Sequence, residues 1–169
     1  ACMRAVELKT EHLTNPIGID IVNPRFFWKC EGGVRQSAYE IVCKKVCKEE
    51  EEGEIIWNTG KRSSDKMTYI TYAGKPLASG ERVNWSVRLW DENDEPGEWS
   101  MASFEMGLLK KEDWRARWIC GNYKVEKNKR YPVDCFQSEF SVKSSVIKRA
   151  RLYITACGLY EARLNGTKV

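Results

Sequence analysis

Between Glu81 and Asp91 the chain alternates without a break. Val83, Trp85, Val87 and Leu89 fall on one side, and Arg82, Asn84, Ser86 and Arg88 on the other. A period of two is the signature of a β-strand with one face in a core and the other in water. Comparable segments recur at Pro24–Cys30, Ser37–Cys47, Ile55–Asn58, Lys66–Tyr72 and Trp99–Met106, with turn residues between them. In the second of these, Tyr39, Ile41 and Cys43 share one face, opposite Ala38, Glu40, Val42 and Lys44. The acidic run Lys48–Glu54 is expected in solvent as a loop or hairpin tip, because packed together its charges repel.

About seven short strands in roughly 100 residues is the size of an immunoglobulin-like sandwich. Trp28, Tyr39 and the Trp85-x-Val87-x-Leu89 strand ahead of the turn at Asp91–Gly97 resemble a fibronectin type III pattern. No spaced cysteine pair brackets the tryptophan as in an antibody domain. The fold class expected is therefore all-β: a fibronectin type III/immunoglobulin-like sandwich over residues 1–108, a linker over 109–120, and a second β-sandwich beginning at 121–169. In the linker, Glu112-Asp113 predicts a short helical turn that sets Trp114 and Trp118 side by side at i,i+4.

Strands are also expected at Cys135–Val142 and from Lys148 onward. The terminal run Ala150–Val169 reads as further strands around Asn165-Gly166, a two-residue type I′ hairpin signal. A β-domain that ends at its first hairpins does not close its sheets, so the expectation is a second sandwich present only in part.

The net charge of +4 is too small to argue for nucleic acid, but its distribution is uneven. Residues 109–169 carry fourteen Lys/Arg against six Asp/Glu, while the first 108 carry fourteen against eighteen. A basic second segment suits either a phosphate-binding face or an acidic neighbouring domain. Seven cysteines (Cys2, Cys30, Cys43, Cys47, Cys120, Cys135 and Cys157) make an odd count with no framework, and are read as reduced and structural. With His12 the sole histidine, no zinc-ligand spacing emerges. No signal-peptide core or membrane-length apolar run is present, so a cytoplasmic location is expected unless a leader has been removed.

Candidate chemistry is sparse. Asp91, Glu92, Asp94 and Glu95 stand beside Pro96-Gly97 and read as a solvated turn rather than a carboxylate pair or calcium loop. No nucleophile elbow, Walker loop or dinucleotide fingerprint occurs. Trp57, Tyr69, Tyr72 and Trp99 are candidates for a sugar-stacking platform, against the alternative that they are core packing. No catalytic, cofactor-binding or metal-binding residue is assigned, and no cofactor is expected.

Several strings, in order along nearly the whole chain, resemble the N-terminal region of bacterial α-L-rhamnosidases of glycoside hydrolase family 78. They are Leu13–Asp20, Asn23–Trp28, Gly33–Tyr39, Trp57–Lys61, Tyr72–Leu77, Trp114–Ile119 and the terminal run from Ala150. The resemblance implies a fibronectin-like sandwich followed by a jelly-roll-type sandwich, an (α/α)₆ barrel and a C-terminal β-domain. It also implies that the barrel's acidic residues release terminal α-L-rhamnosyl groups with inversion. The second sandwich resembles a carbohydrate-binding module that in some members binds rhamnose with calcium. None of the barrel lies in this sequence, so no catalytic residue is carried over, and this stretch alone is predicted inactive. Its partner would be the remainder of the parent enzyme, with carbohydrate as a further ligand and no nucleic acid or membrane. Open sheet edges make a homodimer another expectation. The alternatives are a stand-alone carbohydrate-binding module and a fibronectin-like protein-interaction module. The high cysteine count and the basic, insert-like loop Lys124–Arg130 depart from the family pattern.

Overall fold

The computed structural model describes residues 2–46 and 53–169, which fall into two units, Ala1–Arg117 and Trp118–Val169. Cys47 and most of the acidic run after it lie outside the described residues.

The first unit is a two-layer β-sandwich. One sheet holds β1 (Arg4–Thr10), β3 (Arg25–Glu31) and β7 (Ile70–Thr71), in the order β1-β3-β7. The other holds β2 (Ile17–Ile19), β9 (Ser100–Met106), β8 (Arg82–Trp90), β4 (Ala38–Lys45) and β5 (Ile55–Asn58) in that order, with β6 (Arg62–Ser63) also on β4. The N-terminal strand changes sheets. β1 runs antiparallel to β3, and β2, a few residues later, lies parallel to β9. The crossing is made by a tight turn in which Thr10 N–H donates to Leu13 C=O at 2.9 Å. Glu11, His12 and Asn15 there adopt positive φ.

The core follows the alternation. Val83, Trp85, Val87 and Leu89 of β8 are all fully buried, opposite Ile41 and Cys43 of β4 and Phe104 of β9. The facing layer contributes Phe26, whose ring lies 4.4 Å from Trp85 and 5.9 Å from Phe104. Each such side chain adds about 1.5–3 kcal/mol by leaving water, so this seam holds the two sheets together.

Three expectations for residues 1–117 are corrected. Only Ile70–Thr71 of the run Lys66–Tyr72 joins a sheet. Its 67–69 portion instead runs beside the middle of β3 without a regular ladder, and Trp28 N–H donates to Met67 C=O at 3.0 Å. β1, β2 and β6 went unpredicted because they are short or interrupted; β1 carries a bulge between Val6 and Lys9, with Glu7 at φ 49°, which breaks the two-residue period. The predicted turn is a single 3₁₀ turn, Lys111–Asp113. Trp114 is already extended at ψ 106°, so the helical turn ends there and does not run on through the linker.

In the second unit the one ladder among the described residues joins β10 (Arg163–Leu164) to β11 (Thr167–Lys168). Asn165 at φ 48° and Gly166 at φ 81° make the turn, as their sequence predicts. Cys135–Val142 and the stretch from Lys148 form no ladder, contrary to expectation. A strand is stabilised by its neighbours, and here Phe136, Phe140, Leu152 and Ile154 keep exposed the alternate faces such neighbours would cover.

Candidate functional site

The buried polar centre of the first unit is Gln36. Its Oε1 accepts from Trp28 Nε1–H at 3.0 Å, and its Nε2 donates to Ser64 C=O at 2.9 Å and Lys66 C=O at 3.0 Å. Gln36 is 2% exposed, and its amide ties the segment after β6 to β3. Nothing in its local pattern marked it; the Gly33–Tyr39 string contains it without assigning it a role.

The outer face of the β1-β3-β7 sheet carries a second cluster. Arg25 binds Glu11 through two guanidinium hydrogen bonds, at 3.0 and 2.7 Å, and its backbone N–H donates to the same carboxylate at 2.8 Å. These bonds hold the Glu11 carboxyl below the ordinary glutamate value. The Arg25 guanidinium also stands 5.3 Å from the Tyr69 ring, and Phe27 packs edge-on against Tyr69 at 4.8 Å. His12 lies 4.3 Å from the Phe27 ring at the exposed boundary, where an apolar neighbour rather than a nucleophile faces it.

The four candidate platform aromatics are not brought together. Tyr72 is 1% exposed, its hydroxyl donating to Lys75 C=O at 2.6 Å, and burial raises its pKa. Trp57 packs against Phe26 and Tyr72. Tyr69 sits on one sheet's outer face, while Trp99 lies under the Arg88 guanidinium, 4.7 Å away, on the outer face of the other. They are packing groups and two separate cation–π pairs.

The acidic turn is built as a turn. Asp91 Oδ1 accepts from Asn93 N–H at 2.9 Å and Glu95 N–H at 3.0 Å, and Glu92 Oε2 accepts from Val34 N–H at 2.9 Å. These carboxylates are aimed at backbone amides, and no three His, Cys, Asp or Glu side chains among the described residues are grouped to hold a metal. An open groove of about 590 Å³ runs between β1 and β9, lined by Ala5, Glu7, Leu8, Asn15, Met101 and Ala102. Its lip is fixed by Ser100 Oγ–H donating to Ala5 C=O at 2.6 Å and Ser103 N–H to Asn15 Oδ1 at 2.9 Å. At the end of this unit Ser79 Oγ–H donates to Asp113 and accepts from Leu109 N–H at 2.8 Å, fastening the 3₁₀ turn to the sandwich.

In the second unit, residues 121–134 close on themselves. Asp134 accepts from Gly121 N–H at 3.2 Å and Tyr123 O–H at 3.1 Å. The Tyr123 and Tyr131 rings stack at 4.7 Å and 10°. Tyr131 Oη also accepts from Glu126 N–H at 2.8 Å.

Comparison with known proteins places this architecture. An alpha-L-rhamnosidase of Formosa agariphila is 35% identical over 170 residues, covering 95% of this chain and 18% of that protein. An alpha-L-rhamnosidase of Alteromonas sp. (strain LOR) is 34% identical over 169 residues, with 94% and 18% covered. The crystal structure of Streptomyces avermitilis alpha-L-rhamnosidase complexed with L-rhamnose superposes with a TM-score of 0.63 at 33% identity, covering 70% of this chain and 12% of that one. The chain thus spans about a fifth of the length of the curated relatives it matches. Residues 5–110 match the family model of the Rha78A-like, N-terminal immunoglobulin domain, and the chain belongs to that family.

Proposed function

We propose that this chain serves as the N-terminal, non-catalytic part of an α-L-rhamnosidase that releases terminal α-L-rhamnosyl residues from glycosides. The observation that carries the reading is the coverage: relatives so named match along 95% of this chain but over 18% of their own length. In this reading the sandwich braces the catalytic part and shapes the approach of substrate. Glycoside hydrolysis needs two carboxyl groups held at a set separation. Three carboxylates of the first unit are committed to neighbours, Glu11 to Arg25, Glu81 to Lys45 and Glu92 to Val34 N–H.

The experiment is to compare the whole rhamnosidase with a version lacking residues 1–117. A bracing role predicts a melting temperature several degrees lower and aggregation on heating, with the kcat of the surviving enzyme changed less than threefold. Loss of all turnover in a folded, soluble variant would place an essential catalytic group in the sandwich and overturn the reading.

A further inference from the structure

The chain does not leave the sandwich at the end of β9. Just past that strand, Gly107 N–H donates to Ile19 C=O at 2.7 Å, and Gly107 C=O accepts from Gly80 N–H at 3.1 Å. Leu109 packs on the core, and its N–H donates to Ser79 Oγ at 2.8 Å. The Ser79 hydroxyl donates in turn to Asp113, whose Oδ2 also accepts from Lys110 N–H at 3.1 Å. A serine hydroxyl both donates and accepts, so this one side chain holds the two ends of residues 109–113 at once. Its bond is the main cause that keeps the Asp113 carboxyl below the ordinary aspartate value. The loop presenting Ser79 is itself anchored. Glu81 Oε2 accepts from Ala78 N–H at 2.7 Å, and its Oε1 pairs with Lys45 of β4 at 2.9 Å.

We infer that residues 107–113 are a rigid exit arm of the sandwich, and that Ser79 and Asp113 are the positioning residues that fix where the chain continues. The inference rests on the reading of the sandwich as a brace for the rest of a rhamnosidase, because a brace acts only through a stiff joint. A flexible tether leaves its backbone to solvent. Here the amides of residues 107, 109 and 110 are bonded to Ile19, Ser79 and Asp113, and the 3₁₀ turn Lys111–Asp113 brings the last of these back to the serine.

The test is hydrogen exchange of the intact protein, read by mass spectrometry with fragmentation to single amides, for the wild type and the variants Ser79→Ala, Asp113→Ala and Glu112→Ala. In the wild type, Leu109 and Lys110 are expected to exchange at least about tenfold more slowly than in a free peptide. Ser79→Ala leaves the acceptor of Lys110 in place, and Asp113→Ala leaves that of Leu109. Each is nevertheless expected to speed both amides about fivefold or more, because the two side chains act as one clamp. Met106 and Gly107, bonded to Glu81 and Ile19, stay within about twofold, as do all four amides in Glu112→Ala. Free-peptide rates at Leu109 and Lys110 in the wild type would overturn the inference. So would a rise confined to the amide that lost its acceptor, an equal rise at Met106 and Gly107, or an equal effect of Glu112→Ala. Removal of residues 1–117 tests the bracing role separately, because the exchange pattern is read within the sandwich and needs neither turnover nor the melting of the whole protein.

Discussion

The indole N–H of Trp28 donates to Gln36 Oε1 at 3.0 Å inside a site where both residues are 2% exposed. The same amide holds the carbonyls of Ser64 and Lys66, so one side chain joins three separate segments. A buried group that loses its partner carries its full desolvation cost. Gln36→Leu strands one donor and two carbonyls, and is expected to lower the unfolding free energy by about 2–4 kcal/mol. Urea denaturation checks this; a change below about 0.5 kcal/mol would remove Gln36 from the centre of the fold.

The seam between the sheets makes a second prediction. Phe104→Ala empties space beside Phe26 and is expected to cost about 3–5 kcal/mol. Met101, three residues earlier on the same strand, is 72% exposed, and Met101→Ala should stay within about 0.5 kcal/mol. Thermal melts of the two variants should differ by many degrees.

Glycine positions separate steric crowding from backbone strain. A Cβ at Gly97 would fall 1.6 Å from Met3 C=O, while Gly60, at φ 59°, has nothing within 4 Å. Gly97→Ala must therefore displace backbone and is expected to cost about 3 kcal/mol or more. Gly60→Ala meets only the left-handed conformation and should cost about 1–2 kcal/mol. Equal losses in denaturant melts would contradict this assignment.

Acid sensitivity follows from Glu11. Arg25 lowers its pKa below the ordinary 4.5, so the folded state binds this proton less readily than the unfolded chain does. The stabilisation is complete above the ordinary value and fades as pH drops below it, through the lower folded-state value. Glu11→Gln is expected to be less stable at neutral pH and to flatten the acid limb of the stability curve. An unchanged slope below pH 4.5 would show that the pair contributes nothing there.

Cysteine accessibility separates buried from exposed thiols. Burial raises the pKa of Cys43, which is fully buried, while Cys2, Cys120, Cys135 and Cys157 are exposed. Peptide mapping after brief maleimide treatment should find these four modified and Cys43 protected until denaturant is added.

Much of the sandwich was readable in advance where burial and alternation coincide. β8 shows it most plainly, since Val83, Trp85, Val87 and Leu89 meet one core and need no distant information. β1 was not readable, because its bulge and the positive φ of Glu7 destroy the period while pairing to β3 survives on either side. Gln36 was silent for a different reason: its role depends on carbonyls nearly thirty residues away, which no local pattern encodes. The four platform candidates could not be told apart from core packing in advance, because a tryptophan or tyrosine looks the same in sequence whether it faces the core, as Tyr72 does, or a cation, as Trp99 does.

The most direct test of the central claim is release of the chromophore from an aryl α-L-rhamnoside, measured in parallel for the whole protein and for this 169-residue chain alone. The account predicts steady turnover by the whole protein and none by the chain. Turnover by the isolated chain, or a whole protein that cleaves other glycosides but leaves rhamnosides intact, would contradict it.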